Sequence, residues 1–294
     1  MTERIISFSG APYDGYAFPA ILDSLASCGV THIEPAFIVG YTGVFDESAF
    51  TPAQARQTIA WLETSGLRCF AFSSHIDLGR EDAVDVFKGR MDFAAALGAK
   101  VINTNAATRA WSERFFRNIE LIVRHAEQLD LVIGLENPGD GSDNLINTAA
   151  DGIALLDKLG YPNLRLNYDA ANTVSHRPPG KPGGVIPADD ALLAMPYCGH
   201  VHIKDALATP EGYFFTPLGE GNIDCARIVQ AVAKTDINLS VELPLRLHRL
   251  PNAQPKRRDE PVPLAEIETV VRASLAFVKR HLANGDHSPT SSLE

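Results

Sequence analysis

Eight short β-rich runs recur along the chain, separated by stretches of helical pattern, and this alternation constrains the fold more than any other feature. The runs are 4–10 (RIISFSG), 32–37 (HIEPAF), 68–75 (RCFAFSSH), 100–106 (KVINTNA), 131–137 (LVIGLEN), 164–170 (LRLNYDA), 199–206 (GHVHIKDA) and 239–245 (LSVELPL). Helical pattern fills 18–29, 51–66, 81–98, 112–130, 148–160 and 263–285, the last being the longest. Gly29, Gly66, Gly98 and Gly160 stand where helices end, and Thr51-Pro52 and Thr148 stand where they begin. Strands alternating with helices give a parallel sheet, and eight such units in 294 residues suit a (β/α)8 TIM barrel of the α/β class. A doubly wound open sheet is the runner-up. It would want a Gly-rich dinucleotide loop after the first strand or a phosphate loop, and neither occurs.

No linker divides the chain, so residues 1–285 read as a single domain. The polar tail 286–294 (DHSPTSSLE) is expected to be disordered, with Leu293-Glu294 read as a cloning remnant. Two Pro-rich stretches, 175–187 and 251–263, read as long loops over one face. Cys28, Cys69, Cys198 and Cys225 are too scattered for a thiolate metal site or a redox pair, and are expected to be reduced and buried. With 26 Lys+Arg against 36 Asp+Glu, the net charge of −10 argues against a nucleic-acid partner. No apolar run approaches the roughly 18 residues of a membrane span. The N-terminus lacks a signal-peptide pattern, so the chain is read as cytoplasmic.

Side chains alternate along a strand, so parity separates barrel-facing from helix-facing residues. Parity places Glu34, His75, Asn103, Asn105, Gly134, Glu136, Asp169, His200, His202, Lys204, Ser240 and Glu242 inward. Many of these lie toward strand C-termini, where barrel enzymes place their chemistry. Glu136, Asp169 and Glu242 would repel one another and resist ionising together without compensation. With His202 among them they call for a divalent cation. One imidazole and three carboxylates suit Mn²⁺ first, with Mg²⁺, Co²⁺ or Zn²⁺ as alternatives. Plainer readings exist for single residues. His75 can be a hydrogen-bonded core histidine, Glu34 a partner of Arg4 or His32, Lys204-Asp205 a surface ion pair, and Arg165 the partner of a buried acid.

The segments 134–138 (GLENP), 169–172 (DAAN), 200–205 (HVHIKD), 219–224 (GEGNID) and 241–243 (VEL), in this order, resemble the xylose-isomerase-like barrel superfamily of sugar (phosphate) isomerases and epimerases, including ketose 3-epimerases. The resemblance spans nearly the whole chain. It implies that Glu136, Asp169, His202 and Glu242 bind one divalent metal, and that Glu136 and Glu242 exchange protons with the substrate. It implies too that His75 and Lys204 touch substrate oxygens. Glu34, Asn105, Asn172, Trp111 and Arg246 complete the expected substrate-binding set. Two features depart from the ketose 3-epimerase pattern: Asn172 stands where a His is frequent, and no Arg occurs between Ile203 and Pro217. The substrate therefore stays open.

The chemistry implied is proton abstraction α to a carbonyl, through a metal-stabilised enediolate. It serves epimerisation or isomerisation, and equally a lyase or dehydratase acting on an inosose or a 3-oxo-glycoside. Two further classes are an AP-endonuclease-like phosphodiesterase, which would need more histidines and a basic groove, and a non-catalytic sugar-binding subunit. The partner expected is a small carbohydrate, with a homo-oligomer left open. The mouth is expected to be walled by Tyr13, Trp111, His176 or Arg177, and 213–215, with 175–187 acting as a lid or a subunit contact.

Overall fold

The computed structural model describes residues 4–36 and 46–286. Phe37, the last residue of the expected second strand, and 287–294 of the tail lie outside them. Nine parallel strands form the central sheet: β1 (Ile6–Ser9), β2 (His32–Glu34), β3 (Arg68–Cys69), β4 (Ala71–Ser73), β5 (Val101–Asn105), β6 (Val132–Glu136), β7 (Leu164–Asp169), β8 (Cys198–Ile203) and, later in the chain, β11 (Asn238–Val241). Their order is β3-β2-β1-β11-β8-β7-β6-β5-β4. β3 and β4 are two halves of one barrel strand interrupted at Phe70, whose carbonyl accepts the Lys100 and Val101 amides. A parallel bridge from Ala36 to Ser73 links the two ends, so the sheet nearly closes into the eight-unit barrel read from the sequence.

The helices are α1 (Phe18–Ser27), α2 (Pro52–Ser65), α3 (Ala83–Ala96), α4 (Ser112–Gln128), α5 (Ala149–Leu159), α6 (Ala170–His176), α7 (Pro187–Ala194), α8 (Cys225–Ala233) and α9 (Leu264–Asp286). α4 shows why they dock: Phe115, Ile119, Ile122, Val123 and Ala126 recur at helical spacing and are all buried. Local chemistry sets the ends. Thr51 Oγ1 accepts the Gln54 amide to open α2, and Gly66 closes it at φ 72°. α9 packs against both α8 and α1, completing the outer ring. All four cysteines are free and buried. No helix among the described residues is long and apolar enough to cross a membrane.

A second sheet was not foreseen. β9 (Asp205–Thr209) and β10 (Gly212–Thr216) form a hairpin after β8. β12 (Leu247–Arg249) and β13 (Pro255–Arg257) form another after β11. β10 pairs antiparallel with β12, giving a four-stranded sheet in the order β13-β12-β10-β9. The stretch 251–263, expected to be a loop, thus contains a strand. The expected loop 175–187 shrinks to 177–186, because α6 runs to His176 and α7 starts at Pro187.

The barrel interior is polar. Ser7, Glu34, Asn103, Asn167, His200 and Ser240 are completely buried there. All but Ser7 hold one another: Asn103 donates to Glu34 at 2.8 Å, His200 Nδ1 bonds Asn167 Oδ1 at 2.9 Å, and His200 Nε2 bonds Ser240 at 3.1 Å. Burial lowers the His200 pKa to about 4, so its imidazole is neutral at pH 7. Gly134 makes room for this network. A Cβ there would strike Asn103 Oδ1 and come within 2.9 Å of Asn167 Cβ.

Candidate metal centre and active site

Glu136 ends β6, Asp169 ends β7, His202 lies near the end of β8, and Glu242 follows β11. Each offers one ligand atom, and these atoms all lie within 4.8 Å of one another. The four side chains are buried among charged neighbours, as parity anticipated. His202 is the most informative member. Its Nε2 lies 3.0 Å from Glu34 Oε1, while its Nδ1 faces Glu136 Oε2 at 3.1 Å and Glu242 Oε2 at 3.7 Å. Nδ1 is buried without a hydrogen-bond partner among the described residues. With Glu34 accepting from Nε2–H, Nδ1 is left facing two more carboxylates, so it holds a proton without metal and offers its lone pair to a cation that displaces that proton. The donor set fits a divalent metal.

The carboxylates are not equivalent. Glu136 accepts from His75 Nε2, Asn167 Nδ2 and Asn172 Nδ2, each at 2.9 Å. Burial works against its charge, but His75 and His202 outweigh burial and hold its pKa well below the ordinary carboxylate value. Glu242 accepts from Lys204 Nζ at 2.7 Å. The same ammonium lies 2.6 Å from Asp169 Oδ2. Burial, opposed by Lys204, raises the Asp169 pKa to about 6. At His202 burial disfavours the charge, but Glu34, Glu242 and Glu136 keep the pKa well above the usual histidine value. Backbone-like bonds fix the strand ends: Asn137 donates to Asp169 O and accepts the Asp169 amide, both at 2.9 Å.

Above this cluster lies a cavity of about 310 Å³, lined by His75, Asn105, Glu136, Asn172, Lys204 and Glu242 together with residues of the mouth. Phe215 forms part of its wall and stands 5.4 Å from Lys204 Nζ. Other expected residues are placed elsewhere. Glu34 lies under the cluster as the partner of His202, Ser73 and Asn103, not of Arg4 or His32. Arg246 is buried and bonds the carbonyls of Asp14, Arg258 and Asp259, so it ties loops together outside the cavity wall. Trp111 is outside the wall too, 42% exposed under the Arg114 guanidinium. Tyr13, expected at the mouth, is buried with its hydroxyl against Ser24. His176 is buried, its Nδ1 accepting the Gly141 amide.

Two expected pairings also differ. Lys204 and Asp205 form no surface pair, because successive strand residues point to opposite sides. Lys204 turns into the cluster, and Asp205 accepts the amides of Ala206, Gly219, Gly221 and Ile223, pinning the loop before α8. Arg165 reaches the Pro196 carbonyl at 2.6 Å rather than a buried acid. Sequence reasoning missed Asp140, Pro138, Pro244, Leu247, Arg249 and Pro255 in the cavity wall. A signal existed for the first hairpin: Pro210-Glu211 before Gly212 is turn chemistry between two β-rich runs.

The sequence matches a family model described as a xylose isomerase-like TIM barrel over residues 22–280. No curated protein matches the chain. Among solved structures, D-psicose 3-epimerase from Clostridium cellulolyticum, determined with D-tagatose, superposes with a TM-score of 0.72 at 14% identity, over 95% of this chain and 99% of that one. D-allulose 3-epimerase from Methylomonas sp. superposes with a TM-score of 0.66 at 18% identity, over 95% and 98%. A probable 3-DHS dehydratase from Bacillus anthracis does so with a TM-score of 0.66 at 16% identity, over 93% and 98%. At these identities the likeness is one of fold.

Proposed function

This chain belongs to the xylose isomerase-like TIM barrel family, and from that premise we propose that it is a divalent-metal-dependent carbohydrate isomerase or epimerase that moves a proton next to a carbonyl. The observation that carries this reading is the His202 imidazole, turned by Glu34 so that its free Nδ1 faces Glu136 and Glu242 beneath an open cavity. Glu136, Asp169, His202 and Glu242 would hold the metal, with Mn²⁺ the first choice for such a set. When bound, the cation polarises the substrate carbonyl and so acidifies the neighbouring C–H.

The proton transfers fall to the chain's own groups. Glu242 is the base: its one protein hydrogen bond among the described residues comes from Lys204, which can swing to a substrate oxygen. Glu136 is held by three donors, which keeps it ionised and oriented. In an epimerisation Glu242 keeps the proton it removes, and Glu136 passes a different one, drawn from His75 Nε2–H at 2.9 Å, to the opposite face, after which both groups re-equilibrate with solvent. His75 and Lys204 donate to substrate oxygens, and Asn105 and Asn172 border the same space. Phe215 covers a C–H face and sheds water. The test is metal analysis of the purified protein, followed by ketoses, inososes and 3-oxo-glycosides screened for deuterium uptake from D2O. A protein that holds no divalent metal and exchanges no C–H in any of these sinks the proposal.

Two expectations concern metal binding. Glu34→Gln removes the charge that sharpens His202 without removing an acceptor. It should weaken Mn²⁺ binding by ~10-fold or more, the usual effect of losing an outer-sphere partner. An unchanged calorimetric affinity would reduce the Glu34–His202 bond to packing. The second expectation is a pH dependence. Before metal binds at pH 7, His202 carries a proton, and Asp169 gains one as pH falls through about 6. Metal must displace whatever protons are present, so affinity rises with pH. Binding near pH 7 should release about one proton, rising toward about two below pH 6. Titrations in buffers of different ionisation enthalpy read that number, and release that falls on acidification contradicts the assignment.

A further inference from the structure

The proton-transfer groups account for only part of the cavity's polarity. Arg249 on β12 also lines it, beside apolar surface from Phe215, Leu247 and Pro255. This guanidinium is incompletely used. Nη1 donates to the Ala253 carbonyl at 3.1 Å, but Nε is buried and has no hydrogen-bond partner among the described residues. No ion pair links it to a described carboxylate within 4.0 Å. Its neighbours along the chain behave otherwise: Arg246 and Arg257 both pair with Asp14. Asp140 shares the cavity, but its Oδ1 is taken by the Ser142 amide and by Asn144.

An arginine cannot shed its charge, and Arg249 borders the cavity with no described carboxylate to offset it. A sugar hydroxyl in the cavity would leave the guanidinium charge uncompensated. An anionic oxygen group compensates that charge, in the geometry that a guanidinium fork favours. We propose that Arg249 binds a carboxylate or phosphate carried by the substrate away from its reacting carbons, which makes the substrate an acidic sugar. The inference rests on the carbohydrate reading above and narrows it. Arg249 is then a specificity-determining residue, supplied by the second sheet and not by the barrel.

The test compares three probes on the Mn²⁺-loaded protein by calorimetry: D-fructose, D-fructose 6-phosphate and 5-keto-D-gluconate. At least one acidic probe should bind ~10- to 100-fold more tightly than D-fructose, as a charge-assisted contact allows. The tighter of the two identifies phosphate or carboxylate as the group. Arg249→Gln should abolish that preference, so that neither acidic probe binds this variant more tightly than D-fructose does. Equal binding of all three probes overturns the proposal. So does a preference that persists in Arg249→Gln, which would assign the anion to the metal. Should that variant fail to fold, Arg249→Met and Arg249→Lys replace it: the preference should vanish with Met and survive in part with Lys, and its survival with Met overturns the proposal. Deuterium uptake on the same probes separates the two claims. An Arg249-dependent preference with no exchange in these probes or in the wider screen refutes the proton-transfer reading alone, and exchange without preference refutes the acidic-sugar reading alone.

Discussion

Glu242→Gln is expected to lower deuterium exchange by about 10³-fold while leaving the metal in place, the loss typical of a removed general base. The amide oxygen can still coordinate but cannot accept the substrate proton. Glu136→Gln should behave differently. Its carboxylate receives His75, Asn167 and Asn172 together, and an amide cannot accept all three bonds without turning an NH2 toward one donor. That variant should lose metal affinity as well as turnover. Exchange rates measured at saturating Mn²⁺, with bound metal counted in the same samples, separate the effects. Near-normal exchange in Glu242→Gln would remove Glu242 from the chemistry. Normal exchange in both variants would remove the proton-transfer assignment altogether.

Gly134→Ala should cost about 3 kcal/mol of stability, a large penalty for one methyl group. The new Cβ would collide with Asn103 Oδ1 and crowd Asn167, two groups that hold Glu34, His200 and Glu136. No nearby space can absorb the shift, because Asn103, Asn167 and His200 are fully buried. Urea midpoints measured at constant denaturant slope check this. A change below about 0.5 kcal/mol, the scale of an ordinary surface substitution, would show that the network rearranges freely.

Parity makes much of this cluster legible in the sequence. Glu136, Asp169, His202 and Glu242 stand at or just past the ends of neighbouring strands, and a period of two leaves little choice about which way they point. The role of Glu34 was not legible. Its partners His202, Ser73 and Asn103 lie 168, 39 and 69 residues away along the chain, and only closure of the sheet brings them together. Arg246 misled for a related reason. A charged residue just past a strand end resembles a binding group, but Asp14 and two carbonyls from 258–259 converge on it. Tyr13 and Trp111 show the limits of reading loops by composition, since one folds inward against Ser24 and the other stays outside the cavity. The second sheet went unread because strands of three to five residues carry too little periodicity to announce themselves.

The pairing of β10 with β12 binds two distant excursions into one unit at the mouth. Loop exchange between related barrels normally treats each connection as separable. Here residues 205–216 and 247–257 would have to travel together, because a graft of either hairpin alone leaves an unpaired strand edge beside the entrance, open to association with other chains. Diversification of this protein by recombination is thereby confined to paired exchanges, whereas the buried cluster beneath the cavity, carried on other segments, can stay untouched.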